Sequence, residues 1–320
     1  MNIKEKKLSN EIDGKKIELR FLHKEDNRKA VITHYLHNYH NGVKEHFEEE
    51  AIEYIKQIVE YKNENESNNL VSESAVQQLL FEVENVPFPT PKNHSFNFID
   101  LFAGIGGFRL ALQNLGGKCI FTSEWDEYSK KTYQANFGEI PFGDITKEST
   151  KKYIPEKFDV LCAGFPCQPF SHAGLKKGFE DTRGTLFFDV ADIINRRKEC
   201  GNQIKIIFLE NVKGLKNHDK GNTLKTILST LDELGYEIAT EILNSKNFGL
   251  PQNRERIFIV GWLKELGKTF KFPYGINENN EVIYEKGNLM NVKSTNVGDV
   301  LLKNPDVKYF EGYTFFRKKR

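Results

Sequence analysis

The stretch FNFIDLFAGIGGFRLALQNLG, residues 96–116, decides the fold class of this 320-residue chain. Its first part has the apolar character of a buried strand, and its second part has the spacing of an amphipathic helix. Gly104, Gly106 and Gly107 lie between the two, where bare backbone lets a ligand approach the start of a helix. Because this spacing differs from GxGxxG, tight-turn glycines without a ligand remain an alternative at this point.

Strand and helix patterns then alternate as far as residue 262. We predict strands at residues 96–104, 118–125, 158–164, 204–212, 236–244 and 256–262, and helices at 106–116, 127–138, 185–198 and 222–235. Such alternation predicts an α/β fold with a doubly wound, mostly parallel sheet. Beyond residue 263 the pattern weakens, and one short helix is predicted at 297–302.

The first 92 residues are predicted to form a separate, mostly helical N-terminal extension. Helices are predicted at 45–62 and 67–81, and the prolines of residues 86–91 predict an extended linker. His34, His37 and His40 have helical spacing and could hold a metal, but surface or half-buried histidines without a ligand are the commoner case.

Composition excludes several classes of protein. The formal net charge is +1, so charge alone does not call for nucleic acid, although the part after residue 95 is mildly basic and ends in RKKR. Four cysteines without a CxxC pair argue against a disulfide framework and against structural zinc. No apolar run is long enough to span a membrane, and the charged N-terminus is unlike a signal peptide, so we expect a cytoplasmic protein.

Residues suited to chemistry follow the predicted strands. Glu124 and Trp125 end the second strand, where an acid can bind ribose hydroxyls and an aromatic ring can stack on a purine. Cys167 lies in the loop AGFPCQPFS after the third strand, a position that suits a nucleophile. Glu210 and Asn211 end the next strand. We expect these groups, with the arginines of residues 252–256, to meet at one edge of the sheet.

Seven motifs together resemble the DNA cytosine-5 methyltransferases: FIDLFAGIGGFRLAL, SEWD, GDIT, GFPCQPFS, GTLFFD, FLENV and QNRERIFIVG, in the family's order over about residues 96–262. The resemblance implies a Rossmann-like methyltransferase domain at 93–263, S-adenosyl-L-methionine as cofactor, no metal, and double-stranded DNA as partner. It also implies the modification enzyme of a restriction-modification system. Transfer-RNA cytosine methyltransferases share much of the set, but GFPCQPFS looks more like the DNA enzymes.

The resemblance assigns the chemical roles. Cys167 would add to carbon 6 of a cytosine flipped out of the duplex, which makes carbon 5 nucleophilic. Glu210 would donate to ring nitrogen 3 and should carry its proton at that moment. Asn211 would brace the loop, and Gln168 would help fill the space that the base leaves.

Two arginines and the cofactor residues complete the implied site. Arg256 would contact the carbonyl oxygen of the base, and Arg254 a neighbouring phosphate or the loop. The resemblance places the following residues at the cofactor: Phe102, Ala103, Gly104, Gly106, Glu124, Trp125, Asp144, Ile145, Pro166 and Leu186. Each could instead be ordinary core or turn chemistry.

The family pattern breaks after residue 262. Residues 264–320 would be an incomplete or variable target-recognition region, and the expected Gly-Asn-Ser-Val motif is not found. Three explanations stay open: a second polypeptide supplies the final motifs, the chain is a truncated inactive fragment, or the tail is sufficient. The alternative activity is transfer-RNA cytosine-5 methylation.

Overall fold

The computed structural model describes residues 8–12, 15–19, 27–40, 42–60, 85–166, 186–296 and 299, and the backbone alone at 8–12, 15–19, 56–60 and 291. These residues fall into two compact units. One unit comprises residues 1–240 and 258–268, and the other comprises 241–257 and 269–320. The domain boundaries after residues 92 and 263 stay a prediction.

The N-terminal residues contain helices and also a small sheet. Strands β1 (Leu8–Ile12) and β2 (Lys15–Leu19) pair antiparallel, and β3 (Val59–Glu60) pairs with β2. Helices α1 (Arg28–His37) and α2 (Glu45–Ile58) lie between them in the chain. The strands were not predicted, although the dipeptide Asp-Gly between β1 and β2 is a typical two-residue hairpin signal. The predicted helix at 67–81 lies outside the described residues.

A six-stranded, mostly parallel sheet follows, in the order β5-β4-β6-β7-β9-β8. Its elements in chain order are β4 (Phe96–Leu101), α3 (Gly107–Asn114), β5 (Gly117–Ser123), α4 (Glu127–Phe137), α5 (Glu148–Lys151), β6 (Val160–Ala163), α6 (Leu186–Glu199), β7 (Ile206–Val212), α7 (Asn222–Glu233), β8 (Tyr236–Asn244) and β9 (Glu255–Leu263). Strand β4 runs parallel to β5 and β6, and β6 runs parallel to β7.

This sheet confirms the predicted fold class. Each predicted strand and helix between residues 96 and 263 has an observed counterpart. Among the described residues of this range, the prediction missed the short helix α5 and three 3-10 helices, at Lys213–Lys216, His218–Gly221 and Ser245–Phe248. The strand patterns were readable because β6 and the edge strand β5 are both covered on their two faces: every residue of each is buried. The predicted helix at 297–302 lies outside the described residues, apart from Asp299.

The proline-containing segment at 86–91 is bound to the domain. The backbone N–H of Phe88 donates to the Asn136 carbonyl at 3.0 Å, and Gln113 Nε2 donates to the Pro89 carbonyl at 3.3 Å. Thr90 Oγ1 accepts a hydrogen bond from Arg109 Nη2 at 3.3 Å. The predicted linker is therefore a packed strap across α3 and α4, since each proline keeps the backbone extended while its neighbours bond to the helices.

A buried ion pair lies under this strap. Arg109, on α3, and Glu139, just after α4, are both fully buried, with Nη1 and Oε1 2.8 Å apart. The guanidinium also donates to Gln113 Oε1 at 2.7 Å and to the Tyr133 hydroxyl at 3.0 Å. Burial alone would raise the pKa of Glu139, but Arg109 and two nearby imidazoles hold it at about 2. The pair is therefore ionised throughout the physiological range.

The predicted state of the histidines was wrong for two of them. His34 is completely buried and His37 nearly so, because α1 packs between α2 and the edge of the sheet at β5. Burial lowers the pKa of His37 to about 3 and also lowers that of His34, so both are neutral at pH 7. Among the described residues no cluster of three metal-ligating side chains occurs.

The second compact unit contains a short antiparallel pair, β10 (Gly275–Ile276) and β11 (Val282–Ile283). Glu241 accepts hydrogen bonds from the Tyr274 hydroxyl at 2.8 Å and from Lys286 Nζ at 2.7 Å.

In the part of the chain that the structure describes, no helix is long and apolar enough to cross a bilayer.

The Arg109–Glu139 pair gives a stability prediction. Glu139→Gln leaves the buried guanidinium without a countercharge, so we expect the free energy of unfolding to fall by about 3–5 kcal/mol. Urea denaturation followed by circular dichroism measures it. Glu233→Gln, at an exposed position at the end of α7, is the matched control and should change stability by less than about 1 kcal/mol. Equal effects of the two substitutions would contradict this account of the pair.

Candidate cofactor and catalytic site

The turn from β4 to α3 has an unusual backbone. Phe102 has φ 56° and Gly104 has φ 57°, both in the left-handed region. A phenylalanine rarely adopts this conformation, and such strain is found at ligand sites more often than elsewhere. An added Cβ on Gly104 would meet no atom within 4 Å, so the turn is open there. Ala103, between them, is buried and its N–H donates to the Ser123 carbonyl at 3.0 Å.

Gly106 closes the turn and begins α3. Its φ is 92°, and a Cβ would lie 2.1 Å from the Phe137 ring of α4. Packing between the two helices therefore explains the absence of a side chain here. The role of Gly106 in cofactor binding stays a prediction.

Glu124 lies at the carboxyl end of β5 and its carboxylate is held by backbone. Oε2 accepts from the Gly104 N–H at 2.8 Å, and Oε1 accepts from the N–H groups of Trp125 and Asp126 at 2.9 and 2.8 Å. Three donors fix both oxygens beside the open turn. A carboxylate fixed in this way has lone pairs left to accept from hydroxyl groups of a ligand.

The other residues predicted to bind the cofactor differ in exposure. Trp125 is 74% exposed, so its ring is available for stacking. Asp144 accepts at Oδ1 from the N–H and the hydroxyl of Thr146, at 3.0 and 2.8 Å, and Ile145 is buried. Pro166 is exposed and Leu186 half-buried at the start of α6.

The predicted carboxyl group near the end of β7, that of Glu210, lies close to the turn after β4. A Cβ placed on Gly164 would be 3.7 Å from Glu210 Oε2 and 4.0 Å from the Phe102 carbonyl oxygen. Gly164 directly follows β6 and precedes Cys167 by three residues. The carboxyl ends of β4, β6 and β7 thus lie close together, as expected for neighbouring parallel strands.

Asn211 is bonded to the same loop. Its Nδ2 donates to the Phe165 carbonyl at 2.9 Å, and its Oδ1 accepts from the Val212 N–H at 2.8 Å. The side chain is almost fully buried, so these bonds fix the backbone on which the loop begins. Cys167 and Gln168 themselves lie outside the described residues.

Arg254 and Arg256 belong to the second compact unit. The Arg254 N–H donates to Asn244 Oδ1 at 3.2 Å, and its carbonyl accepts from the Ser245 N–H at 3.0 Å. Arg256 Nη1 donates to the Glu255 carbonyl at 2.8 Å. These hydrogen bonds hold the backbone at Arg254 and the guanidinium of Arg256. The roles of both arginines toward a base stay predictions.

Sequence reasoning missed one acidic residue in this region. Asp100, within β4, is completely buried, and burial raises the pKa of its carboxyl to about 8, although the Arg109 guanidinium acts in the opposite direction. An acid inside an otherwise apolar strand was the available signal, since such a group is costly to bury in its ionised form.

The family of the chain is shown by comparison with known proteins. The model of the family "C-5 cytosine-specific DNA methylase" matches residues 96–318. The chain belongs to the C-5 cytosine-specific DNA methylase family. The match begins at β4, so α1 and α2 lie before it.

Several curated relatives of this chain are Type II methyltransferases. M.HpaII of Haemophilus parainfluenzae is 65% identical over 64% of this chain and 56% of its own length. M.HhaI of Haemophilus parahaemolyticus is 50% identical over 55% of this chain and 52% of its own length. M.SsoII of Shigella sonnei is 47% identical over 70% and 54%. The chain thus spans about half the length of these relatives, and none of the comparisons supports a second polypeptide.

Asp100 gives a prediction on pH. An acid whose pKa is about 8 in the folded protein and near 4 when unfolded stabilises the fold at low pH, and this contribution is lost as the pH rises toward 8. Between pH 6 and 8 the loss is about 2 kcal/mol. Asp100→Asn should remove that part of the pH dependence, measured by urea denaturation at each pH. Asp232→Asn, at an exposed position, should leave the slope unchanged, and an unchanged slope in Asp100→Asn would refute the assignment.

Proposed function

We propose that this methylase transfers a methyl group from S-adenosylmethionine to carbon 5 of cytosine in double-stranded DNA, as the modification enzyme of a restriction-modification system. One observation carries most weight: Glu210, Gly164 and Phe102 meet at the strand ends from which the Cys167 loop departs. A carboxyl group, a cysteine loop and a cofactor turn in one place suit covalent catalysis on a base. The names of the relatives support the restriction-modification setting.

The described residues fit the cofactor. The open turn at Gly104, the fixed carboxylate of Glu124 and the exposed ring of Trp125 offer space, an acceptor for hydroxyl groups and a stacking surface. When bound, S-adenosylmethionine supplies a methyl group on a positively charged sulfur that a carbon nucleophile can take. The residues proposed to hold it are Phe102, Ala103, Gly104, Gly106, Glu124, Trp125, Asp144, Ile145, Pro166 and Leu186.

The chain's own residues activate the base. The Cys167 thiolate forms a bond to carbon 6 of the flipped cytosine, and Glu210 gives a proton to nitrogen 3, so electron density rises at carbon 5. Once carbon 5 carries the methyl group, its proton leaves to a base, the bond to the Cys167 sulfur breaks with release of the thiolate, and the proton on nitrogen 3 returns to Glu210, which restores the ring. Asn211 holds the start of the loop through Phe165. Gln168, Arg254 and Arg256 are proposed to hold the DNA and the base.

The test of methyl transfer uses labelled S-adenosylmethionine with mixed-sequence duplex DNA, and transfer RNA in a parallel assay. We expect label in the duplex and none with Cys167→Ala. Glu210→Gln should lower kcat by about 10²-fold or more, because the proton donor is lost. Glu265→Gln, at an exposed position, is the control and should match the unaltered chain. Label in transfer RNA alone, or none in either nucleic acid, would refute the proposal.

The nucleophile has a separate test. In duplex DNA with 5-fluorocytosine, carbon 5 has no proton to lose, so the bond to the enzyme should persist. Peptide mass spectrometry should find the modified base on Cys167. An adduct on Cys200, which is exposed, would contradict the assignment.

Cofactor binding is tested without DNA. Glu124→Ala should weaken the binding of S-adenosylhomocysteine by about tenfold or more, since the acceptor for its hydroxyl groups is removed. Isothermal titration calorimetry gives the Kd. Glu127→Ala, three residues along the same chain segment and more exposed, should leave the Kd within about twofold. Unchanged affinity in Glu124→Ala would exclude the proposed ribose contact.

A further inference from the structure

The outer edge of β5 has no neighbouring strand among the described residues. This strand is the first in the sheet order, and apart from β4 it pairs only through an isolated parallel bridge between Ser123 and Phe142 in the described part of the chain. Its outward backbone groups therefore need other partners, because an unpaired buried N–H or carbonyl is costly.

Helix α1 and the segment after α4 supply those partners. His34 Nε2 accepts from the Thr122 N–H at 3.0 Å, and Asn38 Nδ2 donates to the Ile120 carbonyl at 3.4 Å. The Phe142 N–H donates to the Thr122 carbonyl at 2.9 Å, and the Phe142 carbonyl accepts from the Glu124 N–H at 2.9 Å. The edge of β5 is thus shared between α1 and Phe142.

The same helix also bonds to the segment that leads to Asp144. Thr33 Oγ1 accepts from the Ile140 N–H at 3.1 Å, and Asn27 Oδ1 accepts from the Gly143 N–H at 3.4 Å. The Phe142 ring packs on the His34 imidazole, with centroids 4.5 Å apart. One helix therefore holds the backbone on both sides of the contact between β5 and Phe142.

His34 has a defined tautomer here. Its Nδ1 lies 2.8 Å from the Ala30 carbonyl, which can only accept, so Nδ1 carries the hydrogen. Nε2 then presents a lone pair to the Thr122 N–H. A neutral imidazole bonded at both nitrogens holds α1 at a fixed distance from β5.

We propose that α1, although it precedes the family domain, is a positioning element for the cofactor site, and that His34 sets the relative placement of Glu124 and Asp144. Thr122 is two residues before Glu124, and Phe142 is two residues before Asp144. Thr122 and Phe142 both contact His34, so His34 fixes the backbone just before Glu124 and just before Asp144. This inference rests on the proposed function, because it assigns Glu124 and Asp144 to the cofactor.

The test compares two variants of the full chain at His34. His34→Gln keeps an acceptor near the position of Nε2, whereas His34→Leu leaves the Thr122 N–H without one. We expect the Kd for S-adenosylhomocysteine to rise about tenfold in His34→Leu and to stay within about threefold in His34→Gln. Thr33→Val keeps the size of a half-buried side chain but removes the acceptor of the Ile140 N–H. It should raise the Kd by about threefold, and it tests the inference even if His34→Leu does not fold.

The control is Ile55→Ala, which removes a buried side chain from α2 and should lower Tm while leaving the Kd unchanged. If His34→Leu and Thr33→Val lower Tm but keep the Kd of the unaltered chain, the inference is overturned. An equal rise of the Kd in His34→Gln and His34→Leu also overturns it, because the acceptor would then not matter.

Amide hydrogen exchange without any ligand separates this inference from the proposed function. In His34→Leu, exchange should rise at 118–124 and 139–146 and stay unchanged at 206–212. An even rise along the chain would overturn the inference. An unaltered chain that binds no S-adenosylhomocysteine would overturn the proposed function, and the exchange pattern would still decide the role of α1.

Discussion

The ion pair between Arg109 and Glu139 constrains the whole N-terminal half of the domain. A guanidinium without access to water must have its charge and its N–H groups satisfied within the protein. The structure meets this demand with side chains from three places: Tyr133 on α4, Gln113 on α3 and Thr90 on the proline-containing strap. The relative placement of these elements follows from one arginine, since moving any of them would leave a donor unsatisfied.

The ion pair also explains how the N-terminal helices share a core with the sheet. Glu139 accepts from the Thr122 hydroxyl at 2.9 Å and lies 3.5 Å from His34 Nε2, while His37 bonds to Thr90 at 2.9 Å. Polar groups of α1, β5 and the strap therefore form one buried network. Such a network specifies a single arrangement because each member has few alternatives in the dry interior. Glu124 and Asp144, the carboxylates proposed to bind the cofactor, each lie two residues after a residue that contacts His34.

The sequence predicted the regular parts well and the irregular parts poorly, for physical reasons. Periodicity located β4 to β9 because strands covered on both faces and amphipathic helices leave a clear pattern. Helix α1 was missed because it is buried nearly all round and has no polar face to produce that pattern. The position of Glu124 followed from its place after a strand, but its three backbone donors and the left-handed Phe102 depend on tertiary contacts that no local pattern records.

The dependence of β5 on α1 has a consequence for solubility. A form of the protein shortened at the predicted boundary, beginning at residue 93, would expose the Thr122 N–H and the Ile120 carbonyl on an open strand edge flanked by buried aromatic rings. Open edges of this kind recruit strands from other molecules. Helix α1 therefore also covers a strand edge that would otherwise be open to strands of other molecules.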